Sequence, residues 1–182
     1  RGKQLLESVI FLPLVLPPVT IGYLLLLVFG KSGVLKPLWT LLGVNGIAFT
    51  FWAAVIAALV VSLPLFVRSV KAAFDMVDPM IEKAANTLGA NRWKAFTTIS
   101  LPMALPGVFS GFILSFARCW GEFGATITFA GNMFGKTQTL PLAIYSAMQV
   151  PGKEFVAAKL VVISVVISLV TMYFSERMLK KI

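Results

Sequence analysis

Residues 78–102 read DPMIEKAANTLGANRWKAFTTISLP, the longest polar-bearing interval in a chain that is otherwise almost wholly apolar. Asp78 can accept a hydrogen bond from the first turn of a helix. Pro79 suits that turn because it lacks the N–H that would be left unpaired there. Met80, Ile81, Ala84, Ala85 and Leu88 recur at helical spacing. Gly89 follows where a helix commonly ends in a left-handed residue. A second short helix is expected from about Arg92 into Leu101-Pro102, with Trp93, Phe96 and Ile99 as its apolar members. The stretch therefore predicts two short helices joined at a glycine, one face apolar and one basic, making a knob between two membrane spans. On pattern alone, an amphipathic loop lying on the bilayer surface fits equally well.

Outward from this knob the chain is apolar. Residues 8–30 carry no charge, enough for one span of about 20 residues. Pro13, Pro17 and Pro18 lie inside it, so that helix is expected to bend. Residues 31–46 form a loop, a second span is placed at about 47–67, and a third at about 103–117. The glycine-broken stretch from Arg118 to Asn132 follows, then a short helix from Thr139 to Met148 and a last span at about 155–175. The fold class is all-α, a polytopic membrane protein with four transmembrane helices, a two-helix loop at 78–102 and a short helix on the other side. With no internal repeat or linker, residues 1–182 form a single domain.

Composition agrees. The chain is 58% hydrophobic, with mean hydropathy +0.91, far above a soluble domain. Its net charge of +9 comes from residues scattered between apolar spans. Anionic lipid and topology account for that distribution, and no nucleic-acid partner is expected. Ten basic residues (Arg1, Lys3, Arg68, Lys71, Lys83, Arg92, Lys94, Arg177, Lys180 and Lys181) fall on one side. Six (Lys31, Lys36, Arg118, Lys136, Lys153 and Lys159) fall on the other or just inside the membrane there. The first side, which carries the knob and the C-terminus, is therefore cytoplasmic.

The same inventory bears on chemistry. There is no histidine, and Cys119 is the lone cysteine, so no metal site, cofactor or intramolecular disulfide is expected. A membrane-embedded enzyme would need paired acid/base or nucleophilic groups, and a channel would need rings of like charge or a carbonyl filter. Neither is evident. Glu122, at the outer end of the third span, is a candidate because an ionisable group at membrane depth is costly to keep. It reads either as a gate residue or as a structural i, i+4 pair with Arg118, and the pair is favoured. The hydroxyls of Thr126 and Thr128, with backbone N–H groups around Gly121, Gly124 and Gly131, are candidate oxyanion contacts.

Ala84-Ala85, Gly89 four residues later, and Ile99-x-Leu101-Pro102 ten residues beyond the glycine resemble the EAA loop of ABC-type importer permeases. Strict alignment puts Lys83, not Glu82, at the family's acidic position. The resemblance implies that Glu82, Ala84, Ala85, Gly89, Leu101 and Pro102 couple this chain to a separate ATPase, where ATP hydrolysis would occur.

A second set of residues narrows the resemblance. Ala117-Arg118, Gly121-Glu122-Phe123-Gly124-Ala125-Thr126, Ala130-Gly131-Asn132, residues 12–23 (LPLVLPPVTIGY) and residues 140–145 (LPLAIY) are similar to permeases of molybdate/tungstate importers, with sulfate/thiosulfate permeases as near relatives. That likeness implies a multi-pass inner-membrane protein without its N-terminal helix, a homodimer with a hetero-pair as the alternative, and an oxyanion-binding protein on the outer side. Glu122, Phe123, Gly124, Thr126 and Thr128 are then the candidates for the translocation path or gate.

Overall fold

The computed structural model describes residues 2–179, all-helical with no strand among them. Arg1, Lys180 and Lys181, counted above among the basic residues, lie outside the described residues. The helices are α1 (Gly2–Val15), α2 (Pro18–Phe29), α3 (Lys36–Leu41), α4 (Phe51–Asp75), α5 (Pro79–Thr87), α6 (Arg92–Ala95), α7 (Leu101–Trp120), α8 (Gly124–Phe129), α9 (Leu140–Met148) and α10 (Glu154–Leu179). A π-helical turn at Phe96–Ser100 joins α6 to α7.

Among the described residues, three helical stretches are long and apolar enough to cross a membrane: Phe51–Asp75, Arg92–Trp120 and Glu154–Tyr173. The apolar run at 8–30, expected as one bent helix, is instead two. Pro17 is extended (φ −56°, ψ 135°) and Pro18 opens α2, because a residue before proline is driven out of the helical region. Pro13 stays inside α1. The 12 residues of α2 rise only about 18 Å at 1.5 Å each, short of an apolar layer about 30 Å thick. Lys71 Nζ meets Glu7 Oε1 at 2.9 Å and ties α1 to the far end of α4. That ammonium holds the Glu7 carboxyl below its usual range.

The expected second knob helix is likewise not a separate element. Arg92–Trp120 runs as one helical stretch, so the chain returns from the knob directly into the third span. Pro102 lies in the first turn of α7 and has no N–H for the preceding turn. The wider turn takes up that defect, with the Leu101 N–H reaching back to the Phe96 carbonyl. Trp93, Phe96 and Ile99 therefore belong to the base of a span.

Small residues set how closely the helices approach. In α4 and α7 a Cβ added at Gly107 would stand 2.5 Å from Ala73 Cβ, and one at Gly111 would stand 2.5 Å from Ser69 Cβ. Further along the same seam the Cys119 thiol donates to Ser62 Oγ at 2.9 Å. Helices in lipid gain nothing from burying apolar surface against each other, so contact this close is what holds them. The main core cluster lies at the end away from the knob, where Ile21 and Leu25 of α2, Ala53, Ala57 and Val61 of α4, and Ala125 and Phe129 of α8 are buried together. Almost none of the stretch Glu154–Tyr173 of α10 is buried within the chain.

Gly107→Ala is expected to lower stability by about 1–3 kcal/mol through overpacking. Ala73→Gly added to it removes the opposing methyl and should recover most of that loss, less the ~0.5–1 kcal/mol penalty of a helical glycine. Thermal unfolding in detergent measures both, and simple addition of the two losses would contradict the close contact.

Candidate functional site

The knob has an outward apolar face. Asp78 Oδ1 accepts from the Met80 N–H at 2.8 Å and starts α5. Gly89, with φ +89°, ends it in the left-handed region, and the Ala90 N–H bonds to the Ala85 carbonyl at 3.0 Å. Asn91 Oδ1 accepts from the Lys94 N–H at 2.7 Å and opens α6. Inward, Ala95 is buried and Phe74 stacks on Phe96 with centroids 5.8 Å apart. The Ser100 hydroxyl donates to Glu82 Oε1 across the knob. Glu82 therefore faces the interior, while Lys83, at the position that alignment would give to an acid, is exposed. Outward lie Met80 (66% exposed), Leu88 (89%) and Trp93 (73%). Ala84 is exposed, Ala85 and Leu101 are half-buried, and Pro102 is exposed at the head of α7.

At the other end of α7 the polypeptide turns on a carboxylate. Arg118 Nη1 meets Glu122 Oε2 at 2.9 Å, and Glu122 Oε1 accepts from the Ala125 N–H at 2.8 Å. Arg118 and Glu122 thus lie as an i, i+4 ion pair. The second hydrogen bond, to the first turn of α8, was not foreseen. The stretch 118–132, read as too broken by glycine for a plain helix, is interrupted: α7 ends at Trp120 and Gly124–Phe129 forms a separate short helix. A Cβ at Gly124 would stand 2.9 Å from Pro18 Cβ, and one at Gly22 would stand 2.6 Å from the Ala125 carbonyl oxygen. These two glycines are what let α2 and α8 meet.

The five residues proposed for the path or gate do not converge on one point. Glu122 and the buried Thr126 line a cavity of about 270 Å³, together with Cys119, Trp120 and Thr139. Thr139 Oγ1 is buried there without a hydrogen-bond partner among the described residues. Phe123 instead turns to Tyr145, ring centroids 5.2 Å apart. Gly124 lies under Pro18. Thr128 bonds to its own helix at the Gly124 carbonyl, 2.9 Å away.

Residue reasoning also missed a polar cluster. Asn132 Nδ2 donates to Ser146 Oγ at 2.7 Å and Gln138 Nε2 donates to Asn132 Oδ1 at 2.9 Å. These bonds fix the segment between α8 and α9. Asn132 was visible within a motif, but no spacing marked Gln138 or Ser146.

Comparison with known proteins fits this architecture. Chains described as "Molybdenum transport system permease protein ModB" align from Escherichia coli (strain K12), 49% identical over 176 residues, 96% of this chain and 76% of that protein. The one from Haemophilus influenzae is 48% identical over 181 residues, covering 99% of this chain and 79% of that protein. The "Putative molybdenum transport system permease protein YvgM" of Bacillus subtilis is 47% identical over 176 residues, covering 97% and 77%. A solved structure of the MetNI methionine ABC transporter in inward-facing conformations superposes with TM-score 0.75 at 14% identity, covering 100% of this chain and 76% of that one. At that identity the likeness is one of fold.

The pair is unequal, the Glu122 side chain being 2% exposed and that of Arg118 40%. Arg118→Gln should therefore cost roughly 3–5 kcal/mol, because it strands a buried carboxylate. Glu122→Gln should cost only about 1–2 kcal/mol, since the amide oxygen still accepts from Ala125 and the guanidinium can be rehydrated. The double variant should unfold close to Glu122→Gln. Equal single losses in thermal unfolding would contradict this account.

With the family model for binding-protein-dependent transport system inner membrane components matching residues 1–182, the chain belongs to that family of inner-membrane permeases.

Proposed function

We propose that this chain is the membrane-spanning permease subunit of an ATP-driven importer of molybdate or its congener tungstate. The observation that carries the substrate is the near-half identity, over almost the whole chain, to proteins described as molybdenum transport permeases. The chain forms the path and is not itself an enzyme; ATP is hydrolysed on a separate subunit.

The coupling surface in this reading is the knob. Met80, Leu88 and Trp93 are largely exposed on the loop, and exposed apolar groups rimmed by charge mark a protein contact. The basic-residue count puts the knob and the C-terminus on the cytoplasmic side. Residues 78–102 dock on the ATPase, with Ala84, Ala85 and Gly89 on the contacting helix and its end. Leu101 and Pro102 carry the contact into α7, and Glu82 braces the knob through Ser100. The outer side receives an oxyanion-binding protein. A second copy of this chain completes the path, because the stretch Glu154–Tyr173 is almost unburied within one chain and an isologous pair is the commonest closure. The turn carrying Glu122 to Thr128, at the end away from the knob, belongs to the path and its gate.

Reconstituted with its ATPase and binding protein in liposomes, the complex should accumulate molybdate only with ATP inside the cytoplasmic compartment. Uptake of sulfate in preference to molybdate would overturn the substrate. For the knob, a Cβ at Gly89 meets nothing within 4 Å, so Gly89→Val acts through backbone strain alone, of order 1–3 kcal/mol. It should insert normally yet lose ATPase association, whereas Gly89→Asn, which tolerates the left-handed region, should keep most of it. Equal recovery of the ATPase with all three proteins would sink the coupling role.

A further inference from the structure

Arg118 and Glu122 divide their labour unevenly. Both oxygens of the buried carboxylate are occupied, one by Arg118 and one by the Ala125 N–H. The guanidinium uses one hydrogen bond in return, and its other donors meet no acceptor among the described residues. It is 40% exposed, two residues from the end of the apolar stretch Arg92–Trp120. Around it on α7 the exposed groups are Leu114, Phe116, Ala117 and Trp120, none of which can satisfy an N–H fork. A half-exposed cation in such a setting is costly unless an anion or water meets it. Planar guanidinium donors match the oxygens of a tetrahedral anion better than a point charge does.

We propose that Arg118 is a binding residue for a tetrahedral oxyanion, and that Glu122 is its positioning residue. Glu122 fixes the guanidinium from behind and offsets its charge, so the pair attracts an anion without trapping it. A transit site needs that balance, favourable enough to enter and weak enough to leave. The oxyanion is either the transported one, in which case the inference rests on the permease reading above, or a lipid headgroup phosphate.

The test uses the assembled transporter, the arginine reagent phenylglyoxal, and mass spectrometry of Arg118 against the exposed Arg68 as an internal reference. Sodium molybdate at about ten times its dissociation constant should slow modification of Arg118 by roughly tenfold relative to Arg68. Chloride at equal ionic strength should not. Protection by added phosphatidylglycerol on delipidated transporter, without protection by molybdate or sulfate, identifies the headgroup as the occupant and still supports the oxyanion site. An Arg118 that reacts at one rate in every condition, or not at all in the assembled transporter, overturns it. In Glu122→Gln, protection should fall severalfold, and unchanged protection would remove Glu122 from the positioning role. Protection in a complex that imports no molybdate sinks the permease reading alone, and import without protection sinks this inference alone.

Discussion

A carboxylate almost wholly enclosed among apolar groups has to be met on both oxygens, and Glu122 is met from two directions. Arg118 approaches from the helix before it and the Ala125 N–H from the helix after it. Those two bonds fix the turn between α7 and α8 and set the direction in which α8 leaves. Phe129 and Ala125 are then buried against α2 and α4, where the main core cluster forms. A buried charge without such partners would be expensive enough to unmake the turn.

The remaining architecture is held by close approach. Gly107 against Ala73, Gly111 against Ser69, and Gly22 and Gly124 where α2 meets α8 each occupy space that a Cβ would contest. Hydrophobic side chains are abundant yet discriminate poorly between a neighbouring helix and lipid, so small residues decide which faces meet. The long apolar side chains are left on the outside, and α10 carries them along Glu154–Tyr173. The single chain consequently has an inside at one end, around α2, α4 and α8, and much unpartnered surface elsewhere.

The knob reverses the usual logic of an amphipathic helix. α5 does not turn Met80 and Leu88 onto its own chain; it holds them outward. Inward, α5 is tied by the Ser100 hydroxyl to Glu82, while beside it Phe74 of α4 stacks on Phe96 of the π-helical turn. Because α6 continues through the π-helical turn into α7, a force applied at the knob acts on the base of a membrane helix rather than on a flexible loop. That helix ends at the turn carrying Arg118 and Glu122.

Much of this was written locally. Asp78-Pro79 started a helix and Gly89 ended one in the left-handed region, since capping and positive φ depend on a few adjacent atoms. Arg118 and Glu122 paired because the turn that ends α7, closed by the Glu122 N–H on the Cys119 carbonyl, keeps residues four apart within reach. Other features were not legible, because they depend on what a distant segment brings. The glycines at 121 and 124 suggested a broken chain, and the helix does break at 121–123, but nothing local showed that Gly124 makes room for the approach of Pro18. The inward Glu82 needed Ser100, 18 residues away. Thr126 and Phe123, three residues apart, point apart because Phe123 precedes α8 with non-helical backbone, one toward the Glu122 cavity and the other to Tyr145. Local chemistry fixed where helices begin, end and carry charge; which faces meet was decided by the close approach of small residues far apart in the chain, which no single segment encodes.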